Sequence, residues 1–496
     1  MGMSNPADTA EPRQLLVLYL KSSVSTCFMV KRAARWLISR NFWGYSLPGR
    51  GGRALFLSLF TFVAITRGEP SSSTVQDDDW PWGRSFFSPV TRTREGTTAR
   101  VCSFHRPLCI HEKPGQAASA RALATLEEAE RAYDVLRLRL GFPSPVADEQ
   151  AGGSAAFDLY LADLPTGKTY EVGFDVSRTS PYDRASTFGR LDASLPDGCE
   201  RRTAIHRLLA LASLAALDAG ETGGFFASSA AYLAMESTGC LGPVLGSIDN
   251  AQAMPQTSQI PVTTPDDPLA SPLFLWYLDG AFGAEAPGTL LASLWHLGVQ
   301  TTPPNADRFH NQPDLFATLT SIARGKKSTL PDVLIDAAVA RAFLGDRDDD
   351  QHLRGSRPLG AFGRVRFDAS YGYSTLPRRL AFTPLDPTGT VYVWVDLRGA
   401  PAGARIGLQA SWEKPVTMRW TAVRVDGAGR ERSRIDVAWE PNVQSVQRRI
   451  LELENLAGLL VVGVNVGEVG PGHPFRADEA PYEPHGGTLL LMADAS

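Results

Sequence analysis

The sequence has no excess of positive charge. Its 496 residues contain 49 Lys and Arg against 53 Asp and Glu, which gives a formal net charge of -4 at pH 7. No internal repeat or long low-complexity tract is visible, and the only polybasic residues lie near the N-terminus. Because binding to nucleic acid depends on concentrated positive charge, we expect no nucleic-acid partner.

Several catalytic motifs are also missing. The chain has no G-x-S-x-G nucleophile elbow, and no Walker or G-x-G-x-x-G phosphate loop in a strand–turn–helix context. Ser228 and Ser229 are most simply interpreted as the start of a helix. The residue types therefore give no support to a serine hydrolase or to a nucleotide-binding enzyme.

No apolar run reaches the roughly 20 residues that span a bilayer. The longest near the N-terminus, at 54–65, follows Arg50 and Arg53 and precedes a polar segment. This pattern is typical of a secretory signal. We therefore predict a leader at 1–68, a linker at 69–98, and a protein that is secreted, periplasmic or on the surface of a bacterium. The alternative is that the apolar run is an N-terminal membrane anchor or a buried apolar segment; beyond a possible anchor we expect no membrane contact.

Cysteine is scarce, with five in the chain, and no two have the Cys-x-x-Cys spacing of a zinc site. Cys27 falls in the predicted leader. The other four are adjacent in pairs along the chain, which suggests disulfides in an oxidising compartment, although four cysteines allow three connectivities. By position, Cys102 would pair with Cys109, and Cys199 with Cys240.

The middle of the chain alternates between helical and extended patterns. A long amphipathic helix is predicted at 116–140, a strand at 157–164 and a buried helix from Thr203 to Gly220. A second helix with small residues at its entry follows at 225–235. After a loop at 241–267, four more helices are predicted, at 272–282, 289–297, 313–324 and 330–344. We assign 99–345 to one α+β domain.

The C-terminal region changes to a period of two. Six or more short strands separated by Gly, Pro and Asp turns predict an antiparallel β-sandwich domain at 375–496. A charged linker at 346–374 would join it to the first domain. Three consecutive aspartates, Asp348 to Asp350, do not have the spacing of a calcium-binding EF-hand, so we expect them to be solvated.

The early polar residue of the buried helix is His206, in the pentad His206-Arg207-Leu208-Leu209-Ala210. In H-E-x-x-H peptidases two His one turn apart bind zinc, and the Glu between them activates water. With the Cys102 strand, the 117–140 helix, the 157–161 strand, the helix at 227–235 and the strand-rich tail, this layout resembles secreted bacterial zinc metalloproteases of the zincin, gluzincin-like type. The resemblance covers most of the chain after residue 99.

The resemblance implies a zincin-like fold but an altered site. His206 matches the first zinc ligand, Arg207 stands at the general-base Glu, and Ala210 at the second ligand. Ala227 stands at the third-ligand Glu, or Ser228 if the alignment shifts by one residue. His206 is then better interpreted as a core histidine hydrogen-bonded to a backbone carbonyl.

We therefore predict a pseudopeptidase that has lost catalytic zinc and binds a peptide or protein in the remaining cleft, with no cofactor. One alternative is an active metallopeptidase or other hydrolase with a non-standard site, which would need zinc. A structural envelope protein is the other. The remaining histidines provide no i, i+4 pair to support a substitute metal site.

Overall fold

The structure is a computed structural model. It describes residues 86–87, 92–96, 99–112, 119–175, 182–261, 263–283, 286–299, 309–310, 313–414, 416–437, 443–468 and 484–494. The predicted leader, its apolar run and Cys27 lie outside the described residues. Residues 76–496 form one compact unit.

A five-stranded mixed sheet begins the described fold. Its strands are β2 (Ala99–Cys102), β3 (Leu108–Glu112), β4 (Phe157–Ala162), β5 (Tyr170–Asp175) and β6 (Ser186–Asp192). Their order across the sheet is β2-β3-β4-β6-β5. Strands β3, β4 and β6 are parallel, whereas β2 and β5 run antiparallel to their neighbours, so β5 forms one edge. A separate short pair joins β1 (Phe86–Phe87) to β7 (Phe309–His310).

Eight α-helices lie in the described residues. They are α1 (Ala120–Asp134), α2 (Cys199–Ala215), α3 (Gly223–Thr238), α4 (Gly242–Ala253), α5 (Leu273–Phe282), α6 (Thr289–Gly298), α7 (Leu315–Gly325) and α8 (Leu330–Ala342). Ser119 caps α1 by accepting a hydrogen bond from the backbone of Ala122, and Gly239 ends α3 with a left-handed φ of 64°.

Most of the predicted helices are confirmed within a few residues, and one was missed. The helix predicted at 116–140 is α1, extended by a π-helical turn at Val135–Arg139. Helix α4 lies inside the segment predicted to be a loop. Its first turn contains Pro243, which is compatible with a helix start because the first backbone N–H groups have no intrahelical acceptor.

The C-terminal strands form two sheets. They are β8 (Ala369–Gly372), β9 (Arg378–Leu385), β10 (Thr390–Asp396), β11 (Arg405–Trp412), β12 (Val416–Asp426), β13 (Glu431–Val437), β14 (Ser445–Ile450), β15 (Leu456–Glu468) and β16 (His485–Asp494). One sheet has the order β13-β12-β15-β10-β8 and the other β14-β11-β16-β9. The strand pairs within the predicted 375–496 domain are antiparallel, as expected, whereas β8, which lies in the predicted linker, adds an edge strand parallel to β10. Strand β8 follows a long connection, not a hairpin, so its direction is not forced.

The helical region and the strand-rich region share a hydrophobic core. Val423, Leu460 and Tyr392 of the sandwich belong to the same cluster as the helix residues. The Tyr392 hydroxyl also donates to the carbonyl of Ala338 in α8 at 2.6 Å. Burial of apolar surface on both sides makes this contact a packed interface and not a loose tether.

The connecting segment is partly buried, in contrast to the solvated linker that its charge suggested. Asp349 is buried and bonds His352 Nδ1 at 2.8 Å, while His352 Nε2 bonds Glu431 of β13 at 2.7 Å. Desolvation by burial would lower the pKa of His352, but the bonds to Asp349 and Glu431 raise it above its ordinary value. These contacts fasten the segment to the sandwich.

The α+β class and the two disulfides are confirmed. Cys102 is bonded to Cys109, and Cys199 to Cys240. The second bridge joins the start of α2 to the residue after the cap of α3, and so fixes the two helices at one end. No helix among the described residues has the length and apolar character needed to cross a bilayer.

The disulfides should differ in their effect on stability. Loop-closure entropy predicts a loss of about 4 kcal/mol for Cys199→Ser/Cys240→Ser, against about 2.5 kcal/mol for Cys102→Ser/Cys109→Ser, since the sequence separations are 41 and 7. Urea unfolding at pH 7 gives both values. A larger loss for the short loop would contradict the entropic account.

Candidate functional site

Helix α2, which carries the predicted motif, is buried along most of its length. Every residue from Thr203 to Ala215 is buried. The helix lies directly on the sheet: a Cβ added at Gly189 of β6 would lie 3.0 Å from a methyl group of Leu208. A helix in this position can hold a polar side chain only where a partner meets it, because an unpaired buried polar group costs about 1–3 kcal/mol.

His206 meets this requirement through two side chains. Its Nδ1 lies 2.6 Å from Ser237 Oγ at the end of α3, and its Nε2 lies 2.9 Å from Glu128 Oε1 of α1. Glu128 also accepts a hydrogen bond from Arg131 at 2.5 Å. The partners of His206 are therefore side chains and not a backbone carbonyl. Both ring nitrogens are occupied within the protein.

The histidine also determines the charge state of Glu128. The hydrogen bond from His206 is the main cause that lowers the pKa of Glu128 to about 2, against the opposing effect of burial. The carboxylate is therefore ionised at neutral pH, and His206 Nε2 donates to it. The three helices α1, α2 and α3 are connected through this pair and Ser237.

Arg207, at the predicted general-base position, contacts residues other than the partners of His206. It is 3% exposed, and its Nη1 donates to the Tyr170 hydroxyl of β5 at 3.2 Å and to the Pro268 carbonyl at 3.5 Å. Within the described part of the chain, its Nε and Nη2 atoms have no hydrogen-bond partner. The motif helix thus holds a buried cation whose hydrogen-bonding capacity is only partly used.

Two aspartates lie near Tyr170, the hydrogen-bond partner of Arg207. Burial raises the pKa of Tyr170, and the charges of Asp266 and Asp267 add to this effect, whereas Arg207 opposes it. Asp266 is itself buried and pairs with Arg92 at 2.6 Å.

The other predicted positions do not provide a zinc ligand set. Ala210, Ala227 and Ser228 are all fully buried. Alanine has no donor atom, and zinc sites need three or four N, S or O ligands. Among the described residues, no group of three His, Cys, Asp or Glu side chains could hold a metal ion. The residues present therefore do not fit the zinc of the resembling family, and no catalytic step is derived through it.

The space in front of α3 is filled by the chain itself. A Cβ on Gly223 would lie 2.0 Å from the Thr263 carbonyl oxygen, and one on Gly224 would lie 1.9 Å from that of Pro261. Only glycine permits so close an approach of two backbones. Residues 260–261 and 263–264, which lie in the predicted loop, therefore pack against the start of α3.

A second polar cluster, which sequence analysis missed, lies on the other face of the sheet. Arg94 forms ion pairs with Asp158 at 2.7 Å, Asp148 at 2.8 Å and Asp175 at 2.5 Å. His111, which the sequence presented as an isolated histidine, lies 2.8 Å from Asp158. The available signal was the alternation in β4, which places Asp158 on the face opposite Phe157.

The electrostatics of this cluster are balanced by Arg94. Burial raises the pKa of Asp148, as does its neighbour Asp158, while Arg94 opposes both. Burial would lower the pKa of Arg94, but hydrogen bonds to Tyr160 and Asp175 raise it above its ordinary value. Asp148 and Asp158 therefore lie together in the interior because a cation lies beside them.

A cavity of about 420 Å³ lies next to this cluster and is lined by Arg92, Thr93, Arg94, Glu95 and Arg190. Arg190 is paired with Glu95 at 2.6 Å and with Glu171 at 2.7 Å. Since each arginine of this wall already has a carboxylate partner, the cavity presents balanced charge.

Replacing His206 should weaken the packing of α1, α2 and α3 against one another. We expect His206→Ala to lower the free energy of unfolding at pH 7 by about 3 kcal/mol, because it leaves Glu128 buried without its main partner. The exposed His105→Ala is the control and should change it by less than about 0.5 kcal/mol.

The same variant should alter the response to acid. Glu128 has a lowered pKa in the folded protein, so its contribution is present above pH 4.5 and is lost as the pH falls towards about 2. The difference between wild type and His206→Ala should therefore narrow across this interval in urea titrations. A constant difference would contradict the assignment.

Arg207 and Tyr170 should be energetically coupled. Arg207→Met removes the donor of the buried Tyr170 hydroxyl, and Tyr170→Phe removes the nearer of the two acceptors of Arg207 Nη1; the loss of a partner costs a buried group about 1–3 kcal/mol. In the double variant the Arg207–Tyr170 bond is lost only once, so the loss of unfolding free energy should be smaller than the sum of the two by at least about 1 kcal/mol. If the two changes in the free energy of unfolding are additive in the double variant, the Arg207–Tyr170 hydrogen bond does not contribute to stability.

Comparisons with known proteins do not identify a family. No protein-family model and no curated protein matches the chain. One solved structure, the pre-peptidase C-terminal domain of a collagenase from Bacillus anthracis, is 13% identical and has a TM-score of 0.16; the match covers 26% of this chain and 99% of that domain. A second, the VP2 subviral particle of infectious bursal disease virus, is 10% identical with a TM-score of 0.16, covering 24% of this chain and 32% of that one. No family assignment follows from these similarities.

Proposed function

We propose that this protein is a non-catalytic, metallopeptidase-like binding protein of the bacterial cell exterior, and that its ligand is an acidic peptide or protein segment. The observation that carries this proposal is the state of Arg207. A buried guanidinium with unused N–H groups stands on the motif helix, where a peptidase of the resembling type would carry its general-base Glu.

The state of His206 supports the loss of catalysis. A zinc ligand must offer a free ring nitrogen to the metal, and usually fixes its orientation by donating the other to a carboxylate or carbonyl. His206 instead uses one nitrogen for Glu128 and the other for Ser237. With alanines at the two further ligand positions, the helix is better suited to packing than to metal binding.

The unused N–H groups of Arg207 support an acidic ligand. Guanidinium binds carboxylate through two parallel N–H···O bonds, and such charge-assisted bonds are about twice as strong as neutral ones. A ligand carboxylate would therefore stabilise a group that is now only partly satisfied. Its entry would displace the Pro268 carbonyl, whose 3.5 Å contact is the longer of the two hydrogen bonds that Arg207 makes.

Edge strand β5 supports a position for the peptide. Asp192 N, at the end of β6, donates to Thr169 O, directly before β5, and the register pairs Tyr170 with Leu191 and Val172 with Gly189. In an antiparallel pair, alternate residues bond to the neighbouring strand, so the backbone polar groups of Tyr170, Val172 and Phe174 point away from β6. Arg92 Nε already donates to the Val172 carbonyl at 2.9 Å. An extended peptide could take that place as an added strand.

A structural role is the second candidate function. It is favoured by the packing of residues 260–261 and 263–264 against Gly223 and Gly224, which fills the space that a peptide would occupy. In that case the segment is a permanent part of the core, and Arg207 serves to hold it.

A peptide array tests the proposal. Decapeptides are synthesised in matched versions that differ only by Glu or Gln at one position, and the full chain is applied to both. We expect retention of a subset of Glu peptides over their Gln versions, and at least tenfold weaker retention by Arg207→Gln. The control is Arg202→Gln, an exposed arginine on the same helix, which should retain the wild-type pattern. Equal retention of Glu and Gln versions would favour the structural role.

Metal content tests the loss of catalysis. Protein purified without chelator should contain no stoichiometric zinc, and titration with zinc should show only weak, nonspecific binding. One tightly held zinc per chain would overturn the proposal and favour the active hydrolase.

A further inference from the structure

A cavity of about 500 Å³ lies between the helical region and the sandwich. Its wall includes the end of α8, the segment after it, and a face of the β13-β12-β15-β10-β8 sheet. Phe343, Arg347, Phe367, Ser370 and Trp394 are among the lining residues. This volume is within the range of about 300–1,000 Å³ that is usual for small-molecule sites.

One wall is a rigid aromatic platform. The rings of Phe367 and Trp394 are nearly parallel, with an interplanar angle of 9° and centroids 6.2 Å apart. The indole lies flat on β15, because a Cβ at Gly458 would come within 2.0 Å of it. Aromatic faces held in this way offer a surface on which a planar ring can stack.

The same cavity contains a cation that lacks an anionic partner. The Arg347 guanidinium lies 4.3 Å from the centroid of the Phe367 ring, and its Nη1 donates to the Val365 carbonyl at 3.3 Å. Burial lowers the pKa of Arg347, and the nearby charge of Arg364 lowers it further. Both effects act against the charged form, so an anion at this point would be stabilised.

The carboxylates that line the cavity have other partners. Asp346 forms an ion pair with Arg364 at 2.8 Å, and Asp348 accepts hydrogen bonds at 2.8 Å from Ser356 Oγ and from the backbone N–H of Asp350. Among the described residues, none of the carboxylates forms an ion pair with Arg347. The positive charge of Arg347 is therefore not balanced by an ion pair with any carboxylate among the described residues.

We propose that this cavity is a binding site for a small planar aromatic carboxylate, with its ring on the Phe367–Trp394 platform and its carboxylate on Arg347. The site is independent of the peptide-binding proposal, because it uses different residues. Ser370, at the edge of the cavity, offers a hydroxyl for a further polar substituent.

Calorimetric titration of the full chain tests the site with two probes that differ only in charge, naphthalene-2-carboxylate and naphthalene-2-carboxamide. We expect each chain to bind one molecule of naphthalene-2-carboxylate, and to bind it at least tenfold more tightly than the carboxamide. Equal affinity of the two probes, or binding of neither, would overturn the proposal.

Variants then assign the preference to Arg347. Arg347→Gln should remove the preference for the carboxylate, and Arg347→Lys, which keeps the charge, should retain part of it. Arg357→Gln is the matched control, since Arg357 lies in the same segment but forms an exposed ion pair with Asp350. An unchanged preference in Arg347→Gln, with a wild-type thermal midpoint, would contradict the assignment. If Arg347→Gln does not fold, the wild-type comparison of the two probes remains decisive.

Discussion

Burial of helix α2 is the constraint on which the helical region depends. Thirteen consecutive residues, 203–215, have almost no contact with water, so a polar side chain among them is stabilised where another element supplies a partner. His206 obtains Glu128 of α1 and Ser237 of α3, and Arg207 obtains Tyr170 of β5. These contacts determine how three helices and the sheet edge are placed around α2. The polar residues of a helix that resembles a catalytic one thus act as fixed points of the packing.

The sandwich is connected to the helical region through its β13-β12-β15-β10-β8 sheet. Tyr392 bonds to α8 and shares the helical core, while the Asp349–His352–Glu431 contacts attach the intervening segment to β13. Apolar packing supplies the attraction, and the buried ionic contacts specify where the surfaces meet. The cavity that contains Arg347 arises at this junction, because a helix end and a flat sheet face leave a gap that side chains do not fill.

Arginine is the residue that distinguishes the candidate sites. Arg94 is surrounded by three carboxylates and makes their burial tolerable, so its cluster is balanced. Arg207 and Arg347 are buried or partly buried with weaker local compensation. An uncompensated buried cation destabilises a fold, so an anionic ligand at either position would be stabilising, and the two binding proposals rest on this argument. Composition alone did not reveal this difference, because it depends on which carboxylates lie near each arginine in space.

The sequence by itself determined the α+β class, the buried helix at α2, most helix and strand positions, and the adjacent cysteine pairs, because these follow from local periodicity and spacing. Only the tertiary structure decided the partners of His206, the buried position of Asp349, the parallel edge strand β8, and the cluster around Arg94. These depend on which residues distant in the chain meet in space. No local pattern encodes that pairing, because it results from the packing of whole elements.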